Sequence, residues 1–285
     1  MPGPLLILDG DSLAHRAYHA LPPIEGAHGR PINALVGFAN RLLAMVAAFT
    51  PRAVLACWDT VGTPTYRSQL WPGYQTGREF DPEIVEQLAR LPELVGEFGV
   101  ASVQAAGYEA DDLAATAARL EREAGNHALV VTSDRDAYQL VGDLVTVLAP
   151  RSGGQYDRIG PAEVRERYGV APEQVPSFIA LRGDPSDNLP GARGIGAKTA
   201  AALLARYGDL AGVVANARDL SPRQAVALAD PRLGDFLRIA TMDAHGPVDR
   251  VADAALDPVR GSAYAAAIGA PRLSERLAAM GGGGA

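Results

Sequence analysis

Three short, unbroken apolar runs, each closed by an aspartate, constrain this chain more than any other feature. Leu5-Leu6-Ile7-Leu8 runs into Asp9, Ala53 to Trp58 into Asp59, and Ala128 to Val131 through Thr132-Ser133 into Asp134. Apolar runs without polar alternation suit strands buried on both faces. Helical patterns over 33–49, 82–98 and 109–124 lie between them. The alternation predicts an α/β fold with a mostly parallel sheet flanked by helices, and 144–148 and 155–159, around the Arg151-Ser152-Gly153-Gly154 turn, read as two edge strands. Ligands of such sheets bind beyond the carboxyl ends of the strands. Three strands therefore aim three carboxylates at one edge. One Asp after a strand is ordinary turn chemistry; three of three is harder to dismiss.

A second feature sharpens the first. Gly107-Tyr108-Glu109-Ala110-Asp111-Asp112 puts three acids at the start of a helical pattern. Acids favour helix N-termini, where the macrodipole rewards each by roughly 0.3–1 kcal/mol. That accounts for one or two of them. Three in one turn repel, and a divalent cation with oxygen ligands relieves the repulsion. On this stretch alone the two readings stand level.

More acids follow in Asp134-Arg135-Asp136 and in Asp184-Pro185-Ser186-Asp187-Asn188. With Asp9, Asp59, Glu109, Asp111 and Asp112 they make nine carboxylates for one cluster. The five histidines (His15, His19, His28, His127, His245) have no zinc-pair spacing. An all-oxygen set suits Mg²⁺ or Mn²⁺, two or more ions, and the hydrolysis of a phosphodiester. The net charge of −7 argues at first against a nucleic-acid partner. Setting the nine acids aside leaves the rest of the chain slightly basic, so the total does not decide the partner. The single cysteine, Cys57, excludes an internal disulfide and lies in an apolar run; it reads as a small buried hydrophobe in a reducing compartment. No signal peptide or membrane span is visible, and the chain is expected to be cytoplasmic.

Two further segments carry candidate contacts. Pro190 to Ala200 contains Gly194-Ile195-Gly196-Ala197-Lys198-Thr199, with the only lysine of the chain. It is not a phosphate-binding P-loop, because Ala197 intrudes before Lys198 and no strand precedes it. It reads as a hairpin between helices, whose exposed N–H groups at a helix start accept a backbone phosphate; a plain Gly-rich turn is the competing reading. Residues 60–81 are broken by Thr63-Pro64, Trp71-Pro72-Gly73 and Gly77 and carry Tyr66, Arg67, Trp71, Tyr74, Arg78 and Phe80. Aromatics interleaved with arginines suit bases and phosphates. Taken alone, the loop is more simply a flap packed by its own aromatics.

Gly107–Asp112, Thr132–Leu140 and Gly183–Gly191 running into Gly194–Ala200 together closely resemble the bacterial 5′-nuclease family, which comprises the 5′–3′ exonuclease domain of DNA polymerase I, its stand-alone relatives and the flap endonucleases. The resemblance runs from about Leu5 to about Leu210. It implies a PIN-like nuclease domain over 1–160 with an arch loop at about 60–81. It implies a helix-three-turn-helix (helix-hairpin-helix) region over 161–250 that grips duplex DNA, with 251–285 left as a C-terminal extension ending in a flexible Gly tail. By the same resemblance Asp9, Asp59, Glu109, Asp111 and Asp134 form the first metal group, and Asp112, Asp136, Asp184 and Asp187 complete the set. Gly194 to Gly196 matches a site for K⁺ between protein and phosphate, with Lys198 and Thr199 beside it. Arg16 matches a basic position near the active site. Arg67 and Tyr74 are assigned to nucleic acid, and Arg78 to catalysis. The family commonly has Tyr-Lys-x-x-Arg in the arch; this chain has Tyr74-Gln75-Thr76-Gly77-Arg78, so Gln75 stands where a lysine would contact the scissile phosphate.

The function so implied is metal-dependent 5′–3′ exonuclease and 5′-flap endonuclease action on duplex or branched DNA, in replication and repair. RNA primers in RNA–DNA hybrids as the substrate, or a catalytically weak DNA-junction binder, are the alternatives. No polymerase sequence follows, so a stand-alone, monomeric nuclease without membrane attachment is expected.

Overall fold

The computed structural model describes residues 3–60, 62–77 and 80–282. Its centre is a six-stranded sheet in the order β3-β2-β1-β4-β5-β6. The strands are β1 (Leu5–Asp9), β2 (Ala53–Trp58), β3 (Ala101–Gln104), β4 (Ala128–Val131), β5 (Val145–Pro150) and β6 (Tyr156–Ile159). All neighbours are parallel except β5 and β6. The three Asp-ended runs are thus the three adjacent central strands β2, β1 and β4. Asp9 pairs with Cys57, and Leu8 with both Ala56 and Val131, so the strands end nearly level and their aspartates share an edge.

Alternation along β1 feeds two cores. Leu5 and Ile7 join a cluster on one face of the sheet, and Leu6 and Leu8 join one on the other. Helices α1 (Gly10–Ala20), α2 (Asn33–Phe49) and α4 (Pro82–Glu97) cover the second face. Between them in sequence, α3 (Tyr66–Leu70) is a short helix inside the stretch expected as loop. The first face is covered by α5 (Ala110–Glu123) and by a helical region of α6 (Pro161–Tyr168), α7 (Val175–Arg182), α8 (Ala197–Tyr207), α9 (Leu210–Ala215), α10 (Pro222–Leu228) and α11 (Leu233–Ala240). That region shares its apolar cluster with the sheet. The turn from β1 into α1 is tight: a side chain at Gly10 would collide with the Trp58 indole.

Four expectations change. β3 was not anticipated, because an edge strand with an alternating, half-exposed pattern carries only one strongly apolar residue, Val103. Helix α1 was also missed; its buried Leu13, Ala14 and Ala17 are spaced among polar residues over only three turns. Of the two strands expected at the sheet edge over 144–148 and 155–159, only β6 is an edge; β5 lies between β4 and β6. The segment from 251 on is no mere extension. Helices α12 (Pro258–Ala267) and α13 (Pro271–Gly281), with the turn between them, bury Ala265, Ile268, Leu273 and Leu277 in the same cluster as α2 and α4. The expected Gly tail falls partly in α13, and residues 283–285 lie outside the described residues. Among the described residues no helix is long and apolar enough to cross a membrane.

Candidate metal and nucleic-acid site

The carboxyl edge of the sheet opens into a cleft of about 1140 Å³. Eight of the nine singled-out acids line it: Asp9, Asp59, Glu109, Asp111, Asp134, Asp136, Asp184 and Asp187. Hydrogen bonds from main chain and side chains aim several of them. Asp9 caps α1, its Oδ1 accepting the Ser12 N–H at 3.1 Å, while Oδ2 accepts the Thr132 hydroxyl at 2.6 Å. Thr132 Oγ1 also accepts the Asp134 N–H at 2.9 Å, so one buried threonine sets two acids on neighbouring strands. Asp59 Oδ1 accepts the Ala110 N–H at 2.7 Å at the start of α5. Glu109 takes the Thr65 and Tyr74 hydroxyls on its two oxygens, both at 3.0 Å.

These acids feel one another. Burial pushes the Asp9 carboxyl up to about 7, against the lowering pull of the Thr132 and Ser12 hydrogen bonds, and Asp59 and Asp134 add to the rise. Burial, then Asp134, Asp9, Asp59 and Glu109, holds Asp111 well above the carboxylate range. Burial, then Asp134, Asp187 and Asp184, does the same to Asp136, with Arg182 opposing. Two acid groups therefore meet at Asp134. Among the described residues no three His, Cys, Asp or Glu side chains are drawn into a group that could hold an ion as they stand. Carboxylate oxygens accept more than one partner, so the hydrogen bonds orient these acids without exhausting them. A cluster of carboxylates whose members resist ionising together fits hard divalent cations, which would offset that repulsion.

Asp112 is a correction. It sits one residue beyond Asp111 on α5, about 100° further round the helix, and is fully buried. Its two oxygens take the Arg67 guanidinium at 2.7 Å each, and Oδ1 also accepts the Asp243 N–H at 2.8 Å. It faces away from the cleft as half of an internal ion pair. Arg67 is corrected with it: only 3% exposed, it donates to Asp112 and to the Ile239 carbonyl and is not offered to nucleic acid. Arg16 does not line the cleft and lies near Tyr156, on whose hydroxyl its charge acts. Arg78 lies outside the described residues.

The arch segment is docked at its base. Trp71 donates its indole N–H to the Asn188 carbonyl at 3.0 Å, and Asn188 Nδ2 donates to the carbonyls of Gly73 and Thr76. Gln75, in left-handed backbone (φ +52°), donates from Nε2 to the Tyr74 hydroxyl at 2.9 Å and to Asp187 Oδ1 at 3.1 Å. Tyr74 lines the cleft through its bond to Glu109. Gln75 and Tyr74 thus link the two acid groups. Phe80, half exposed, stands at the rim against the His15 ring at 5.0 Å.

The hairpin begins three residues past Asp187. Gly183 and Gly191 approach so closely that a side chain on either would strike the other strand of the turn. Ile195 is buried, and its N–H bonds to the Ala192 carbonyl at 2.9 Å. That anchor leaves Gly194, Gly196 and Lys198 exposed and Thr199 half-buried at the start of α8, with Arg193 and Arg223 alongside. The sequence did not single out Asp11, which also lines the cleft. Its signal was its place two residues after Asp9, which reads as a simple first-turn acid.

Comparison with known proteins agrees with this arrangement. Residues 4–169 match the N-terminal, resolvase-like domain of the 5′-3′ exonuclease family, and residues 170–254 match its C-terminal SAM-fold domain. DNA polymerase I of Mycobacterium tuberculosis (strain ATCC 25618 / H37Rv) is 45% identical over 216 residues, covering 74% of this chain and 24% of that protein. The thermostable DNA polymerase I of Thermus aquaticus is 39% identical over 221 residues, covering 77% of this chain and 26% of that one. The chain therefore spans about a quarter of the length of these relatives. In fold it resembles T5 5′-exonuclease with bound zinc (TM-score 0.72, 20% identity, 96% of this chain and 97% of that one). It also resembles the catalytic core of Rad2 in complex with a DNA substrate (TM-score 0.61, 13% identity, 97% and 91%).

Proposed function

This chain belongs to the 5′-3′ exonuclease family, and from that membership we propose that it is a metal-dependent nuclease that hydrolyses phosphodiester bonds near the 5′ ends and flaps of duplex or branched DNA. The observation that carries the reading is the ring of carboxylates from β1, β2, β4, α5 and the 184–187 loop around one cleft. Asp9, Asp59, Glu109, Asp111 and Asp134 would hold the first Mg²⁺ or Mn²⁺. Asp136, Asp184 and Asp187 would serve a second. Bound there, such ions lower the pKa of an attacking water and offset charge on the leaving oxygen.

The chain's own groups divide the remaining work. Thr132 and Ser12 fix the direction of Asp9, and the N–H of Ala110 fixes Asp59. The hairpin from Gly194 to Thr199 holds a duplex phosphate through backbone N–H groups and Lys198, contacts that position a duplex without reading its sequence; K⁺ between Gly194–Gly196 and the phosphate would reinforce it. Gln75 and Tyr74 set the arch against the acids on the path of the 5′ strand.

The test is cleavage of end-labelled 5′-flap DNA with Mn²⁺ by the wild type and by Asp134→Ala. Loss of a group that orients metal ligands typically costs 10–100-fold, so removing a ligand should cost more than about 100-fold. No cleavage by the wild type, or equal cleavage by the variant, would overturn the reading.

A further inference from the structure

We propose that Asp11 is a positioning residue for the metal-binding acids and acts through Asp59. The inference rests on the reading of the cleft given above and adds to it a residue that the expected acid set does not contain. Asp11 lies in the first turn of α1, but that terminus is already capped by Asp9. Its side chain also reaches across to the end of β2. Oδ2 accepts the main-chain N–H of Asp59 at 2.8 Å, across the gap between α1 and the end of β2.

Asp59 stands one residue beyond β2, past the last ladder pair of Trp58 with Gln104. Three different elements hold it. Asp11 accepts its N–H; Gln104, at the end of β3, donates to its carbonyl at 2.5 Å; the Ala110 N–H donates to its side-chain Oδ1 at 2.7 Å. The contact from α1 has little slack, because Gly10 is pressed against the Trp58 indole just before Asp59. Removing the Asp11 acceptor frees the main chain at Asp59 to turn, and the carboxylate turns with it. A plain helix-terminus acid would touch nothing on β2. Asp11 instead brings a carboxylate beside another carboxylate, an arrangement that costs repulsion and is offset where a divalent cation is held.

The experiment compares wild type, Asp11→Ala and Asp11→Asn by calorimetric Mn²⁺ titration without DNA and by amide hydrogen exchange at Asp59 in the metal-free protein. Groups that orient metal ligands typically contribute 10–100-fold to affinity. Asp11→Ala should weaken Mn²⁺ binding by about tenfold or more and speed exchange at Asp59. Asp11→Asn, whose carbonyl can accept the same bond, should return the affinity to within about threefold of wild type, in line with a retained hydrogen bond. Cleavage by Asp11→Ala should recover as Mn²⁺ is raised. If Asp11→Ala does not fold, Asp11→Ser replaces it, because its shorter hydroxyl does not span the gap. Unchanged Mn²⁺ affinity in the alanine or serine variant overturns the proposal. So does an asparagine variant as weak as alanine. A wild type that binds Mn²⁺ but cuts no flap DNA would sink the nuclease reading and leave the role of Asp11 standing.

Discussion

Asp112 and Arg67 form a two-point ion pair, both oxygen–nitrogen distances 2.7 Å, in the interior between α5 and α3. The pair joins the base of the arch to the helix that carries Glu109 and Asp111. Arg67 also reaches the carbonyl of Ile239 in α11, and the neighbouring Tyr66 hydroxyl donates to the carbonyl of Thr241 just past it. Removing one partner strands the other's charge in the interior, which typically costs 3–5 kcal/mol. Asp112→Ala should therefore lower the unfolding free energy by about 3–5 kcal/mol in urea titration. Asp112 Oδ2 also accepts the Glu109 N–H at 3.2 Å, and Arg67 stands 3.5 Å from the Glu109 carboxylate, so Mn²⁺ affinity of the fraction that remains folded should fall by about tenfold, as for loss of a group that orients a ligand. A variant of wild-type stability with lost metal binding would return Asp112 to the ligand set.

The crowded acids predict how stability follows pH. Asp9 and Asp11 hold their protons up to about 7, against an ordinary value of 3.8. Between those values the folded chain keeps protons that the unfolded chain has released. Unfolding free energy therefore falls as pH rises through this window. In EDTA, the Tm should drop by about 5 °C or more from pH 5 to pH 8, since 1 kcal/mol shifts a domain of this size by roughly 2–4 °C. Added Mg²⁺ should raise the Tm most at pH 8, where the carboxylates are ionised. A metal-free Tm that is flat or climbs across this range would refute the prediction.

Gln75 offers a substitution that should gain function. Its Nε2 lies between Asp187 and Tyr74, next to both acid groups. A lysine there would exchange a neutral donor for a charged one, worth about 1 kcal/mol more per hydrogen bond. Gln75→Lys should speed flap cleavage by about fivefold if that gain is realised on the scissile phosphate in the transition state. Single-turnover rates provide the check. A rate unchanged or lowered would mean that the arch, pinned through Asn188 and Asp187, presents a different group to the phosphate.

Lys198 should act on binding alone. It is exposed in the first turn of α8, away from the acids that line the cleft. Lys198→Ala should weaken duplex binding and reduce the salt slope of log K by about 1. The single-turnover rate at saturating DNA should hold. A lower saturating rate with an unchanged salt slope would place Lys198 with the chemistry instead.

How much of this was legible in the letters depended on burial. β1, β2 and β4 were readable because strands covered on both faces must be apolar throughout, and the aspartates that end them mark the sheet edge. β3 was not, because an edge strand exposed on alternate residues looks like any polar segment. Helices α12 and α13 and the turn between them were hidden in the same way: their buried residues are a glycine, alanines, leucines and one isoleucine in a stretch without motifs.

By itself the sequence determined the parallel sheet, the edge at which the acids gather, and the carboxylate-rich character of the site, since periodicity and residue type are local properties of the chain. Only the tertiary structure decided which acids face the cleft. Asp111 and Asp112 are neighbours with the same side chain, yet about 100° of helix rotation sends one to the cleft and the other to Arg67. Asp11 and Asp59 are far apart in sequence, and only the packing of Gly10 on Trp58 brings a carboxylate of one to the main chain of the other. The direction of a side chain is set by what its helix is pressed against, and no window of adjacent residues contains that information.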